Sequence, residues 1–429
     1  MFLKRWLQKV KNRLDNRYEL FYILDLGCFN MKLSLMELDR HTNLGVILDI
    51  VEASYPNLTI LLQKGGKDLI QLSNHIKNLF FKLQKPKNKS KSKHFIIGLS
   101  SELISGASFS NTYTREDSNS QIDVREIKNV IHNLLLRAHE DIRRKFASES
   151  GYTETEVILV NTTIQKLLID GQVTLNPIGK IGKEIFVSLF NAYAPNFYKD
   201  AMEQIAEDLK FNSYHLVHTP YAVFSSLKRT KKPEVDMQGL IIDIGGKTTR
   251  VTLVKKGKIE DIRNFSFGGV SFTRRIANDL KLSEQEAENI KLKYSNYNVS
   301  QNTRTIIDKL LESDMSLFLN GLELILKDFS QTSLLPGEIF LCGGGGNIDV
   351  IDAIIKKRSW RKDLSFTNPP TLYKLDTDSL TSIKFADNLP TDSRLVSMAA
   401  LADYAVHIST TPPNILDKIL HRTVSLINE

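Results

Sequence analysis

Three short glycine-bearing stretches hold the residue types that can cradle a polyphosphate. In the first, Asp25-Leu26-Gly27 closes an apolar run and Lys32 follows seven residues after the aspartate. Glycine lets backbone N–H groups come close to an anion, the carboxylate can hold a water-shelled divalent cation, and the lysine can reach a phosphate. In the second, Asp243, Gly245, Gly246, Lys247, Thr248 and Thr249 combine a carboxylate, backbone donors and two hydroxyls. In the third, Gly343, Gly344, Gly345 and Gly346 stand between the apolar run EIFLC and a helical pattern starting near Asn347. Bare backbone there admits a flat group such as an adenine or a ribose, and a helix N-terminus adds a dipole favourable to anions. Mg²⁺ keeps several of its waters, so Asp25 and Asp243 on two facing turns would suffice as its protein ligands. Neither a G-x-x-x-x-G-K-[ST] loop nor a G-x-G-x-x-G fingerprint occurs.

The elements that must position these turns repeat. FYILDLG, a polar turn and MKLSLMEL read as strand, turn and strand; LIIDIG, GKTT and RVTLV read the same way 218 residues later. In that shift Asp25 falls on Asp243, Gly27 on Gly245, Ser34 on Thr252 and Leu35 on Leu253. Each turn alone is an ordinary hairpin, but the duplicated hairpin followed by a strand, four glycines and a helix is a constellation. Between the copies come a helix near Leu69 to Leu83, a lysine loop at 85 to 93, a strand at 95 to 100 and a polar region at 108 to 121. A helix over 122 to 147, strands at 157 to 162 and 166 to 170, and a strand IFVSLFNAY then read as an inserted small α/β domain. Thr303 to Phe329 reads as a long helix whose buried stripe includes Ile306, Ile307, Leu311, Phe318 and Leu326.

Composition narrows the classes. The chain has 429 residues, 41% hydrophobic and 25% charged, which suits two to three folded domains and excludes a disordered or fibrous chain. Apolar runs are cut by Asp25, Asp243 and Glu323 well short of the roughly 18 residues a membrane-spanning helix needs. Only two cysteines occur, Cys28 and Cys342, so no disulfide framework or cysteine metal cluster is expected and a reducing, cytoplasmic compartment is. The net charge of +8 is concentrated in residues 1 to 17, with six basic residues against Asp15, and in residues 82 to 93, with six lysines and no acid. The remaining body is slightly acidic, which argues against nucleic acid as a partner. Phe2, Leu3, Trp6, Leu7, Val10 and Leu14 fall on one helical face with Lys4 and Arg5 among the basic residues between them, the pattern of a helix lying in an anionic membrane interface.

The constellation resembles the actin-like ATPase superfamily, a ribonuclease H-like two-lobed α/β fold that closes on ATP. Within it the chain resembles the FtsA cell-division family, on IDGQVTLNPIGKIGKE at 169 to 184 and on FGGVSFTRRIANDL with EAENIK at 267 to 291. The resemblance implies ATP with Mg²⁺ as cofactors, Glu288 and Lys291 flanking the nucleoside, self-association into filaments, and tethering of an FtsZ-like tubulin homologue to the inner face of the cell membrane. Two departures stand out. HTPYAVF at 218 to 224 places Thr219 where relatives that hydrolyse ATP well often carry an acidic or amide residue, so turnover should be slow. Lys247 and Arg250 replace a usual glycine and a common aspartate. A PilM-like scaffold of a pilus or secretion machine and a small-molecule kinase share the fold and remain alternatives. The expected division is 1–17 as membrane helix, 18–99 with 385–407 as first subdomain, 100–192 as insert, 193–262 with 330–384 as second subdomain, 263–329 as nucleotide-flanking helices and 408–429 as tail.

Overall fold

Strand β1 (Tyr18–Leu26) reads YELFYILDL and is buried almost throughout from Leu20 onward, the continuous apolar pattern of a strand covered on both faces. The structure is a computed structural model that describes residues 17–54, 67–84, 93–100, 104–150, 157–232, 235–331, 333–347, 355, 361–380 and 382–428. The basic amphipathic pattern at 2 to 14 and most of the lysine loop lie outside these residues.

β1 pairs antiparallel with β2 (Asn30–Asp39), which pairs antiparallel with β3 (Leu44–Ser54). On its other side β1 runs parallel to β4 (Lys93–Leu99), and β4 parallel to β9 (Ser213–His218). A second sheet repeats this strand for strand. β10 (Gly239–Ile244), β11 (Thr249–Lys255) and β12 (Lys258–Phe265) form the antiparallel meander, and β13 (Glu338–Cys342) and β14 (Thr371–Lys374) add the parallel pair. The orders β3-β2-β1-β4-β9 and β12-β11-β10-β13-β14 are therefore the same, with β15 (Ile383–Phe385) extending the first sheet. Two helices lie between the sheets, α4 (Thr219–Thr230) and α8 (Val396–Thr410). Their apolar side chains join those of both sheets in one cluster that includes Phe21, Ile96, Leu227, Ile241, Phe340 and Leu401. Helix α8 is alanine-rich because it is enclosed nearly all round, and Gly98 on β4 leaves room for it: a Cβ there would overlap the Leu401 side chain.

The outer face of the first sheet is covered by α1 (Lys67–Lys82) and α3 (Asn196–Asp208). That of the second is covered by α5 (Gly269–Leu280), α6 (Glu284–Ser295) and α7 (Gln301–Ser330). Serines start two of these. Ser283 and Glu286 form a reciprocal capping box on α6, and the Ser300 hydroxyl accepts from Thr303 N–H on α7. The stripe on α7 differs from the expectation at Ile306, which is 50% exposed, while Asp314 is buried under Arg275 at 2.8 Å. An ion pair fills a position that apolar spacing alone assigns to carbon.

A four-stranded sheet in the order β5-β8-β6-β7, from β5 (Ser105–Thr114), β8 (Glu184–Pro195), β6 (Val157–Ile169) and β7 (Gln172–Val173), touches β9 of the first sheet and β12 of the second, with α2 (Val124–Ser150) against it. Two sequence expectations change here. The polar stretch after 108 is an edge strand whose outer half faces water, so polarity does not preclude pairing. The separate runs 157 to 162 and 166 to 170 are one strand whose register shifts twice, at Leu159/Asn161 and Ile164/Lys166, and the bulges absorb the break in alternation. The last helix, α9 (Ile415–Asn428), lays Leu416, Ile419 and Leu420 onto this inserted core, and the Asn428 side-chain amide exchanges two hydrogen bonds with Leu159.

Two buried histidines give the fold a pH signature. Burial holds both His218 and His139 below the ordinary imidazole value of 6.5, His218 well below it. The unfolded chain then takes up protons that the folded chain refuses, so stability is complete above about 6.5 and falls as pH drops through that value. Urea unfolding at about pH 7.5 and about pH 5.5 should show this loss, and His218→Gln should reduce it, the rest staying with His139, His215 and His407, which burial also lowers. An unchanged slope in that variant would assign the loss elsewhere.

Candidate functional site

The two aspartates occupy equivalent places. Asp25 ends β1 directly across the ladder from Lys32, and Asp243 ends β10 directly across from Arg250. Lys32 Nζ lies 3.8 Å from Asp25 Oδ2, and Arg250 Nη1 lies 3.7 Å from Asp243 Oδ2. Both turns close alike, Gly27 N–H donating to Asn30 O at 3.1 Å and Gly245 N–H to Thr248 O at 2.9 Å. Burial raises the Asp25 carboxyl above the usual carboxylate range, opposed by Lys32 and reinforced by Asp243. Asp243 thus lies close enough to Asp25 for its charge to be felt there.

The turns are in contact across the lobes. Phe29, in the first turn, packs on Gly246 in the second, where a Cβ would lie 2.7 Å from the phenylalanine side chain. Arg250 donates through Nη2 to the Ser100 carbonyl of the first lobe, and Lys32 Nζ donates to the Arg394 carbonyl at 2.9 Å. Lys247, Thr248 and Thr249 continue the second turn. The Thr249 hydroxyl is already committed to Phe267 O at 2.7 Å. The N-terminus of α5 sits on this turn, with Gly269 N–H donating to Gly245 O at 3.0 Å and Val270 N–H to Gly246 O at 2.8 Å.

The four-glycine stretch leads from β13 into a 3-10 turn at Gly344–Asn347; residues 348–360, apart from Ile355, lie outside the described ones. Gly343 has φ +90° and a Cβ there would collide with Asp243 Oδ1, so only glycine fits. Its N–H donates to Ser393 O at 3.1 Å, and the Ser393 hydroxyl donates back to its carbonyl at 3.2 Å. Glu288 and Lys291 meet at 2.7 Å, and the buried Lys291 ammonium also donates to Thr273 Oγ1 and to Gly269 O. Burial lowers the Lys291 pKa and the Glu288 carboxylate opposes the shift. This network reaches Gly269, and through it the second turn.

Set against a nucleotide, the three glycine turns do converge, but Cβ atoms at Gly246, Gly343 and Gly345 would strike Phe29, Asp243 and Ile244 of the chain itself, so these glycines serve its own packing. Tested against a divalent metal, the carboxylates fit poorly, since each has a cation within 4 Å. Among the described residues no group of three His, Cys, Asp or Glu side chains is placed to hold a metal. Two cavities, about 250 Å³ by Gln238, Glu338 and Asn368 and about 330 Å³ by Tyr18, Glu37 and Thr42, lie away from the cleft and hold none of the expected residues. Phe29, Ser100 and Thr273 belong to the site without having been expected there. Arg250 has the same seven-residue offset from its aspartate as Lys32, a signal in plain view.

Residues 240–337 match the family described as cell division protein FtsA, a stretch from β10 to the residue before β13. No curated protein matches the sequence. The PilM-PilN type IV pilus biogenesis complex is similar in fold, with a TM-score of 0.60, 17% identity, and 91% of this chain and 98% of that one covered. The ethanolamine utilization protein EutJ from Carboxydothermus hydrogenoformans has a TM-score of 0.44, 14% identity and coverage of 92% and 96%. MreB5 of Spiroplasma citri bound to ADP has 0.40, 13%, and 93% and 100%; these two are too distant to carry an argument. The chain thus has the two-lobed actin-like ATPase fold, resembling FtsA in sequence over part of its second lobe and the pilus complex in fold over most of its length.

Proposed function

We propose that the chain is a nucleotide-binding actin-like scaffold, in which ATP is a structural ligand between the lobes and sets the state competent for assembly. The observation that supports the reading is the paired hairpins, each with its aspartate and cation, and Gly343 packed against Asp243. Slow turnover follows from Thr219, whose buried hydroxyl is no general base at neutral pH. A turnover far below about 10 s⁻¹ is expected.

Within this reading the FtsA-like role comes first, because the sequence match over 240–337 and the stretch at 267 to 291 point there. The chain would polymerise and hold an FtsZ-like filament to the inner membrane surface, with residues 2 to 14 as the peripheral anchor. Among the described residues no helix is long and apolar enough to cross a membrane. The PilM-like scaffold is the second reading, favoured by the fold likeness over nearly the whole pilus protein. Electron microscopy of the full chain with ATP on anionic vesicles separates them. Filaments that coat the vesicles support the division adaptor; discrete particles support the pilus scaffold; failure of a chain lacking residues 1–17 to bind vesicles locates the anchor.

A further inference from the structure

Helix α7 is apolar on two sides. Its inward stripe, from Ile307 to Phe329, belongs to the core of the second lobe. On the outward side Ile306, Leu317 and Leu324 are 50%, 58% and 67% exposed, with Leu310 half-buried between them. Leu310, Leu317 and Leu324 recur every seven residues, and Ile306, Ser313 and Asn320 each stand four residues before one of them. At 3.6 residues per turn these six side chains share one narrow arc, the two rows that make the seam of a coiled coil.

The seam complements itself when one copy is reversed. In an antiparallel pair each residue of one row meets a residue of the other row, so Leu324 meets the partner's Ile306, Leu317 the partner's Ser313 and Leu310 the partner's Asn320. Serine opposite leucine in the middle lets the two backbones come close. The row beside the seam holds Lys309, Ser316 and Glu323. In the same register Lys309 lies across from the partner's Glu323, and Ser316 falls at the two-fold axis. Glu323 already pairs with Lys327 of its own helix at 2.7 Å, and a carboxylate accepts more than one ammonium. Residues 301–311 carry Arg304 and Lys309 against Asp308, a net +1, and residues 319–330 carry Lys327 against Glu323 and Asp328, a net −1. Reversal therefore sets opposite charges and opposed helix dipoles side by side, where a parallel pair would set like beside like.

We propose that α7 pairs two copies of this chain antiparallel about a two-fold axis beside Ser316, with Ile306, Leu310, Leu317 and Leu324 as the shared seam. Such a pair is closed on itself, so it is distinct from head-to-tail polymerisation and needs no nucleotide. One helix from each copy makes a small interface, weak between two free molecules and stronger where many copies are aligned. Cross-linking of the full-length protein tests the register, because the native Cys28 and Cys342 are both buried. A short bismaleimide should link two copies of Ser316→Cys and should not link Asn302→Cys, whose two sites lie about 40 Å apart along the pair. Sedimentation equilibrium over a concentration series should show wild-type dimer. Leu317→Glu combined with Leu324→Glu should raise the dissociation constant about tenfold or more with an unchanged melt, since both positions face solvent. Lys309→Glu and Glu323→Lys should each raise it about threefold, and the two together should restore it. Dimers that form without filaments on vesicles leave the proposal standing and count only against the adaptor role. A monomeric wild type, equal cross-linking of the two cysteine variants, or a charge-exchanged double variant no better than the singles overturns the proposal.

Discussion

Gly268→Ala is expected to weaken nucleotide binding about thirtyfold or more while the chain still folds. A Cβ at this position would stand 2.6 Å from both the Gly245 and Gly246 carbonyl oxygens and 2.8 Å from the Gly246 carbonyl carbon. All three are backbone atoms, so no side chain can rotate away and the second turn itself must move. That turn is also the seat of α5, held by Gly269 N–H and Val270 N–H, and behind α5 by the Thr273, Glu288 and Lys291 network. Displacing it shifts the groups that the second turn is proposed to present to the phosphates, Gly245 to Thr249. A loss on the order of 2 kcal/mol or more in binding free energy is expected, read by ATP calorimetry beside a thermal melt. Gly344→Ala is the control for stability, since its Cβ would meet only the Arg394 side chain, at 3.6 Å. Wild-type affinity in Gly268→Ala would remove this turn from the site.

Asp403→Ala should be strongly destabilising for the layer of inter-lobe helices. Asp403 lies on α8, 6% exposed, where it accepts from Arg229 on α4, from the Ser226 hydroxyl at 2.5 Å and from the Ser382 hydroxyl. Removing the carboxylate leaves a guanidinium and two hydroxyls without their acceptor in the layer both sheets share, a cost of about 3 kcal/mol. Urea unfolding measures it. Asp403→Asn, which keeps an acceptor, should lose less, and Asp141→Ala, which breaks an ion pair with both side chains 64% exposed, should lose under about 0.5 kcal/mol. Comparable losses in Asp403→Ala and Asp141→Ala would show that the cluster contributes no more than a surface pair.

The duplicated hairpins were legible because their cause is local: apolar alternation, a turn and an aspartate at a fixed place recur in sequence before any folding is considered. That glycines matter at 245, 246 and 343 was legible, but the cause the structure gives, contact with Thr248, Phe29 and Asp243 of the chain itself, was not, and Gly268 was not singled out. What escaped is what crosses the lobes. Phe29 on Gly246 and Arg250 on Ser100 join residues far apart in the chain, and no periodicity encodes them. Edge strand β5 escaped because water, not carbon, covers its outer face, and Asp314 because its neutralising Arg275 comes from another helix. The register of β6 across two bulges is likewise set by its partner β8 rather than by its own alternation.

Helix α9 changes the mechanics of the inserted sheet. Without it the sheet would be joined to the first lobe where β5 begins and where β8 runs on into α3, and to the second lobe where Ser108 and Gln165 hydrogen-bond to Ile259 on β12. With Leu416, Ile419 and Leu420 seated in its core, the sheet is also coupled through the short link 411 to 414 to α8, the rod between the lobes. A body tied to both lobes and to the rod between them cannot swing freely of any of the three. Any tilt of α8 that accompanies opening or closing of the lobes is then delivered, as by a crank, to a surface well away from the cleft.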